Sequence, residues 1–221
     1  MEEILFTKMH GLGNDYIYIN CLESTPRDIE PLAIEMSRPH TGIGSEGIIL
    51  ICPSDVADFK MRIFNADGSE ARMCGNGSRC VGKYVHDYGL TDKVHLTLET
   101  LGGIKTIDLH TETDGSVRSA TVDMGEPVFD TALVPVAFHE PTMIERTVAT
   151  SGGDVNRTAV SMGNPHGVIF VDTFDRLPVE TLGTELEHNI IWPERANIEF
   201  VVAEDARHLR MRVWESGSGE T

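Results

Sequence analysis

The sequence predicts an α/β chain (in finer terms α+β) built as two pseudo-symmetric halves. Three observations carry that prediction. Short β-rich runs alternate with amphipathic helical stretches, the second half repeats the first at a fixed displacement, and 40% of the 221 residues are apolar, enough to give each half a core.

Ile4 to Cys21 is apolar on both sides of the Gly-rich interruption His10-Gly11-Leu12-Gly13-Asn14-Asp15 and reads as strand, loop, strand. Asp28 to Arg38 reads as a short helix ended before Pro39, with a turn-rich stretch from Thr41 to Gly47 behind it. Ile48 to Cys52 and Phe59 to Phe64 read as strands. Val81, Tyr84, Val85 and Tyr88 fall at i, i+3, i+4, i+7 and predict an amphipathic helix stopped by Gly89, which places Cys74 at its N-terminus. From Lys93 to Met124 β-rich runs alternate with Gly turns such as Asp114-Gly115. The domain boundary is expected near Val122, giving halves of 1–122 and 123–221. In the second half, strands are expected at Ala159 to Met162, Val168 to Val171, Ile198 to Val202 and His208 to Trp214, with a helix from Pro178 to His188.

The repeat is visible residue by residue. Met61-Arg62-Ile63-Phe64 matches Met211-Arg212-Val213-Trp214 at a displacement of 150, and so do Glu70 with Glu220 and Gly13-Asn14 with Gly163-Asn164. A cleft between two related domains is the expected consequence. The same displacement carries Cys74 to position 224, three beyond Thr221, so a second cysteine is expected there that the 221 residues do not contain.

Eighteen basic against 35 acidic residues give a net charge of −17, which argues against nucleic-acid binding, where affinity comes from neutralising phosphates. No apolar run approaches the ~18 residues of a membrane span, and the first residues lack the basic and apolar regions of a secretory peptide. A soluble cytoplasmic protein is expected. Four cysteines, Cys21, Cys52, Cys74 and Cys80, are too few for a disulfide scaffold and form no CxxC pair. No metal-ligand cluster, Rossmann fingerprint or phosphate loop is present, so neither a metal nor a cofactor is expected.

Alone, Cys74 would be a small residue capping a turn. Its context, Cys74-Gly75-Asn76-Gly77, says more. A thiol at a helix N-terminus meets the positive end of the backbone dipole and ionises more readily. The unpaired N–H groups of the same turn can hold a carboxylate, and the glycines let it approach. A base beside a bound α-carboxylate, faced by a second such assembly, supplies bases on opposite sides of one carbon, which is what racemisation without a cofactor requires. Cys21, Cys52 and Cys80 read as packing residues. Asn14, Asn65, Asn164 and Asn197 are turn formers by default, but Asn14 and Asn164 are counterparts in the repeat, and Asn65 lies just upstream of Cys74. His166, in Gly163-Asn164-Pro165-His166-Gly167, is either a plain turn residue or a proton carrier. Glu215, the counterpart of Asn65, is a surface acid by default.

At these residues the chain resembles the diaminopimelate epimerase family. The resemblance runs from Lys8-Met9-His10-Gly11-Leu12-Gly13-Asn14-Asp15 through Gly42-Ile43-Gly44, Phe64-Asn65-Ala66-Asp67-Gly68-Ser69-Glu70, Cys74-Gly75-Asn76-Gly77 and Gly163-Asn164-Pro165-His166 to Gly217-Ser218-Gly219-Glu220-Thr221. It implies two halves, each a mixed, mostly antiparallel sheet rolled around a central helix, often in a homodimer. It further implies cofactor-independent exchange of LL- and meso-diaminopimelate by two thiols, serving lysine and cell-wall precursor synthesis. Cys74 would be one thiol, His166 and Glu215 would assist, and Asn14, Asn65, Gly75, Asn76, Asn164 and Asn197 would contact the substrate, with Glu215 and Ser216 beside them.

The resemblance departs at two places. The family continues to a second cysteine, a second central helix and closing strands, so this chain is expected to be cut before them and impaired in turnover. Ser216 stands where the family usually has an arginine, whose fork suits a carboxylate. The alternatives are a racemase for another amino acid in the same family and an inactive homologue that binds an amino acid without turning it over. A thiol hydrolase using Cys74 and His166 would need an oxyanion hole that the repeat gives no reason to expect.

Overall fold

The computed structural model describes residues 3–221, which divide into two compact units, one reaching Gly125 and the other spanning Glu126–Thr221. The first runs β1 (Thr7–Gly11), β2 (Asn14–Asn20), α1 (Ile29–Ser37), β3 (Gly47–Cys52), β4 (Phe59–Asn65), β5 (Glu70–Ala71), α2 (Gly75–Asp87), β6 (His95–Thr100), β7 (Gly103–Thr111) and β8 (Val117–Asp123). Its sheet has the order β1-β2-β3-β4-β6-β7-β8, with β5 on β4. The β2–β3 and β4–β6 pairs are parallel and the rest antiparallel. Helix α2 packs on β1 and β2 at one end of this order and on β7 and β8 at the other, so the sheet curls around it.

Strand β3 explains why one sheet serves two helices. All six of its residues are buried, and side chains alternate between faces. Ile49 and Ile51 join Tyr16, Tyr18, Met61 and Ile63 on the face that holds Cys80, Val81, Tyr84 and Val85 of α2. Ile48 and Leu50 join Ile17, Ile19 and Phe64 on the face that holds Ala33 of α1.

The second unit runs β9 (Arg146–Thr150), β10 (Gly153–Ser161), β11 (Pro165–Phe170), α3 (Val179–Glu187), β12 (Asn197–Ala203), β13 (Leu209–Glu215) and β14 (Gly219–Glu220), in the order β14-β13-β12-β11-β10-β9. Helix α3 packs its Val179, Leu182 and Leu186 against Ile169, Ile198 and Phe200. Neither this nor any other described helix is long and apolar enough to cross a membrane.

The repeat governs topology and register, beyond the sequence matches. Helices α1 and α3, and strands β4 and β13, are displaced by 150 at both ends. Parallel pairing of Ile17 with Ile48 recurs as Gly167 with Ile198, and antiparallel pairing of Ile48 with Phe64 recurs as Ile198 with Trp214. Even the surface forks recur: Arg62 donates to both carboxylate oxygens of Glu70 at 2.7 and 3.1 Å, and Arg212 to those of Glu220 at 2.6 and 2.9 Å. One hairpin slips. In the first unit it closes with the pair Gly11 and Asn14 around a two-residue turn, whereas in the second it closes with Ser161 and Pro165 around three residues.

The structure corrects several sequence expectations. Strand β10 is longer than Ala159 to Met162 and is preceded by β9, an edge strand whose half-polar pattern carries no clear alternation. Strand β11 begins at Pro165, where a missing N–H is tolerated because it is the first residue of the strand, so His166 lies in a strand and not in a turn. Asn14, Asn65 and Asn197 are likewise strand-terminal residues, not loop residues. Glu215 closes β13 and is only partly exposed.

Candidate active site

In the first unit Cys74, Gly75, Asn76 and Asn14 gather around the start of α2, while Asn65 makes its side-chain bond in the turn after β4. Cys74 is its N-cap, with extended backbone angles of φ −142° and ψ 109°, and its Sγ accepts the Gly77 N–H at 3.2 Å. That hydrogen bond, with the aligned peptide dipoles behind it, stabilises negative charge on the sulfur. Gly77 lets the first turn rest on β3: a Cβ there would lie 2.6 Å from Ile49 Cδ1, so the tip of that side chain would have to turn away. The N–H groups of Gly75 and Asn76 point outward from the same turn, ahead of any intrahelical bond. Asn14, buried at the start of β2, pairs with Gly11, and Gly11 lies against Asn76, where a Cβ would be 3.1 Å from the Asn76 carbonyl. The Asn76 side-chain oxygen accepts from Arg79 one turn on. Asn65 donates from Nδ2 to Ser69 Oγ at 3.2 Å, within the β4–β5 turn.

The remaining thiols are of a different kind. Burial pushes the Cys80 thiol up from its ordinary range. Cys21 and Cys52 sit side by side at the ends of β2 and β3. The Cys21 thiol donates to Cys52, which holds Cys21 in its protonated form and lowers Cys52, with burial opposing and Arg62 adding to the lowering. Both are buried in the core under α1.

In the second unit, Asn164, His166, Asn197 and Ser216 form one connected group. His166 presents Nδ1 to Glu199 Oε1 at 2.6 Å and Nε2 to Asn164 Oδ1 at 2.9 Å. Asn197 is the register partner of His166 across β11 and β12, and its Oδ1 accepts the Ser216 N–H at 2.9 Å. That bond ties the turn after Glu215 to the start of β12. The Ser216 hydroxyl points to the end of α3, where it donates to Glu187 Oε1 at 2.9 Å, beside the Trp214 indole N–H on Oε2 at 2.8 Å.

Three residues here escaped the sequence reading. Glu187 and Glu199 are buried acids, and in a chain with 35 acidic residues nothing local marks them. The repeat could have: their counterparts are Ser37 and Ile49, so each is a carboxylate where the first half needs none. Arg157 is fully buried over the Trp192 ring at 5.3 Å, its guanidinium without a hydrogen-bond partner among the described residues, and burial brings its pKa down to about 10.

Comparison with known proteins decides the family. The family model described as diaminopimelate epimerase matches residues 6–130 and 158–221. The chain belongs to the diaminopimelate epimerase family. A diaminopimelate epimerase of Acetivibrio thermocellus is 51% identical over 216 residues, covering 98% of this chain and 77% of that protein. One of Phocaeicola vulgatus is 52% identical over 218 residues, covering 99% and 77%. Among solved structures, a probable proline racemase from Agrobacterium radiobacter aligns with a TM-score of 0.71 at 14% identity, over 99% of this chain and 72% of that one. A hydroxyproline epimerase from Agrobacterium vitis aligns at 0.69 with 16% identity, over 97% and 71%. Similarity that distant speaks for the fold alone, a mixed α+β arrangement with a sheet curled around a helix.

Proposed function

We propose that this chain is an amino-acid epimerase that interconverts LL- and meso-diaminopimelate, with Cys74 as one of its proton-transferring thiols. The observation that carries the reading is the roughly one-half identity to diaminopimelate epimerases along almost the whole chain. The geometry of α2 supports it. The outward N–H groups of Gly75 and Asn76 receive the α-carboxylate, which withdraws charge from Cα and sets its hydrogen beside Cys74 Sγ. The thiolate takes the Cα proton as the Cα–H bond breaks and an S–H bond forms, and the electron pair spreads into the carboxylate. A proton delivered to the opposite face completes inversion, and a thiol would come to that task from the repeat position of Cys74, 224. In this proposal Asn14, Asn65, Asn164 and Asn197 contact the amino and carboxylate groups, and His166 and Glu215 steer protons. A small amino acid is the partner. A homodimer in the cytoplasm belongs to the same proposal.

A racemase for a different amino acid is the second reading, favoured by Ser216, whose hydroxyl is held by Glu187 and provides no guanidinium for a second carboxylate. Incubation with LL-diaminopimelate in deuterated water tests both, using this chain and the same chain continued through a cysteine at 224. Deuterium at Cα with inversion in the continued form, and none with amino acids that lack the second carboxylate, is the expected result. Full inversion by the 221-residue form contradicts the two-thiol account, and turnover of monocarboxylate amino acids favours the second reading.

A further inference from the structure

We propose that Glu199 is a positioning residue that holds His166 in a single tautomer, with the proton on Nδ1 and Nε2 left to exchange protons. The inference rests on the reading of His166 as a proton carrier in the epimerase, and goes beyond it by assigning the group that prepares the imidazole.

Geometry comes first. Glu199 stands on β12, two residues beyond Asn197, the register partner of His166, so its side chain is on the same sheet face as the imidazole. Its Oε1 lies 2.6 Å from His166 Nδ1. An ionised carboxylate only accepts, so Nδ1 must carry the hydrogen. The opposite nitrogen faces the Asn164 side-chain amide at 2.9 Å. Asn164 can turn oxygen or nitrogen toward it, so this contact accommodates Nε2 with or without a proton. Carboxylate, imidazole and amide thus form a line in which one end is fixed and the other adapts to proton transfer.

Cost is the second argument. Glu199 is only 6% exposed, and its Oε2 is buried without a hydrogen-bond partner among the described residues. Burying a carboxylate with one oxygen unpaired is unfavourable, and an apolar residue of similar size would serve packing better. The molecule contains that apolar version: the counterpart of Glu199 is Ile49, and that of His166 is Tyr16, both in the core against α2. Two neighbouring positions therefore carry packing residues in one half and a hydrogen-bonded acid and imidazole in the other. A carboxylate kept at a position suited to isoleucine, aimed at a histidine ring, acts on that ring.

The test uses Glu199→Ile and Glu199→Gln. Ring-nitrogen NMR of the 221-residue chain, with histidines labelled, reads the tautomer directly. Wild type is expected to show His166 protonated on Nδ1, Glu199→Gln to keep that signature because its carbonyl oxygen still accepts, and Glu199→Ile to lose it. Thermal stability of Glu199→Ile is expected to be equal to or above that of wild type, which a structural ion pair would not give. In whichever form turns over diaminopimelate, Glu199→Ile should lower kcat by about 10- to 100-fold, within the range that general acid–base groups contribute, with KM little changed and Glu199→Gln restoring most of the rate. An unchanged Nδ1 signature in Glu199→Ile overturns the proposal, and so does an unchanged kcat. If the form continued through a cysteine at 224 turns over no diaminopimelate, the epimerase reading fails, and the tautomer measurement still decides the role of Glu199.

Discussion

The two units share a strand order, a parallel register and a helix on one sheet face, yet treat the other face in opposite ways. In the first, Tyr16, Ile49 and Met61 are buried in the core against α2; in the second, their counterparts are His166, Glu199 and Met211, with Glu199 Oε1 facing His166 Nδ1 at 2.6 Å. The α1-type face is the opposite case. Ala33 against Phe64 in one unit becomes Gly183 against Trp214 in the other, a loss of one methyl matched by a larger ring. The comparison teaches that the α1-type face was repeated as packing in both units, whereas the α2-type face exchanges packing residues for an imidazole and a carboxylate. There the first unit sets a thiol on a helix end, and the second sets His166 against Glu199.

The largest test of that division is a pair of substitutions. Met61→Ala should cost about 2–5 kcal/mol, as for a buried methionine. Glu199→Ile should cost nothing, because an apolar side chain replaces a buried carboxylate. Denaturant midpoints of the two variants measure the contrast, and equal losses would break it. A smaller effect is expected at the helix–ring contact. A Cβ on Gly183 would lie 2.4 Å from Trp214 Cγ and 2.6 Å from its Cβ, which a rotamer change cannot relieve. Gly183→Ala should therefore cost about 1–3 kcal/mol, and Trp214→Phe in the same chain should recover much of it, recreating the pairing of the first unit. Failure of the second change to compensate, in the double-mutant cycle, would mean that the two faces do not follow one packing rule.

The smallest effect concerns acid stability. In the first unit Lys93 and the Thr97 N–H hold Asp58 below the usual carboxylate range, linking the start of β4 to β6. A carboxylate depressed in the folded state stabilises above its unfolded value, about 4, and that contribution is lost as pH falls below this toward the folded value. Asp58→Asn should lower the urea midpoint slightly at neutral pH and flatten its fall between about pH 4 and 2. An unaltered acid slope would show that the pair adds nothing.

Much of this was legible in the sequence because repetition is a long-range signal. The match of Met61-Arg62-Ile63-Phe64 to Met211-Arg212-Val213-Trp214 foretells a shared register, and the Gly-Asn-Gly after Cys74 foretells an N-cap thiol. Individual roles were less legible. Glu187 and Glu199 look like surface acids until strand pairing shows which face they occupy, because alternation assigns a residue to a side but not the side to core or solvent. His166 looked like a turn residue because Asn164-Pro165 suggests a turn, while the actual turn closes one residue earlier and leaves Pro165 to open a strand. The Gly183–Trp214 contact depends on a helix crossing a strand 31 residues later, which no local pattern contains.

The central claim is that the first unit's contribution to the chemistry is the Cys74 thiol. Stepwise alkylation with iodoacetamide near neutral pH, followed on the intact protein by mass and on diaminopimelate by deuterium uptake at Cα, tests it most directly. The account predicts that Cys74 is modified ahead of the buried Cys21, Cys52 and Cys80, and that deuterium uptake falls in proportion to the fraction alkylated there. Uptake that persists undiminished in protein fully alkylated at Cys74 would contradict it.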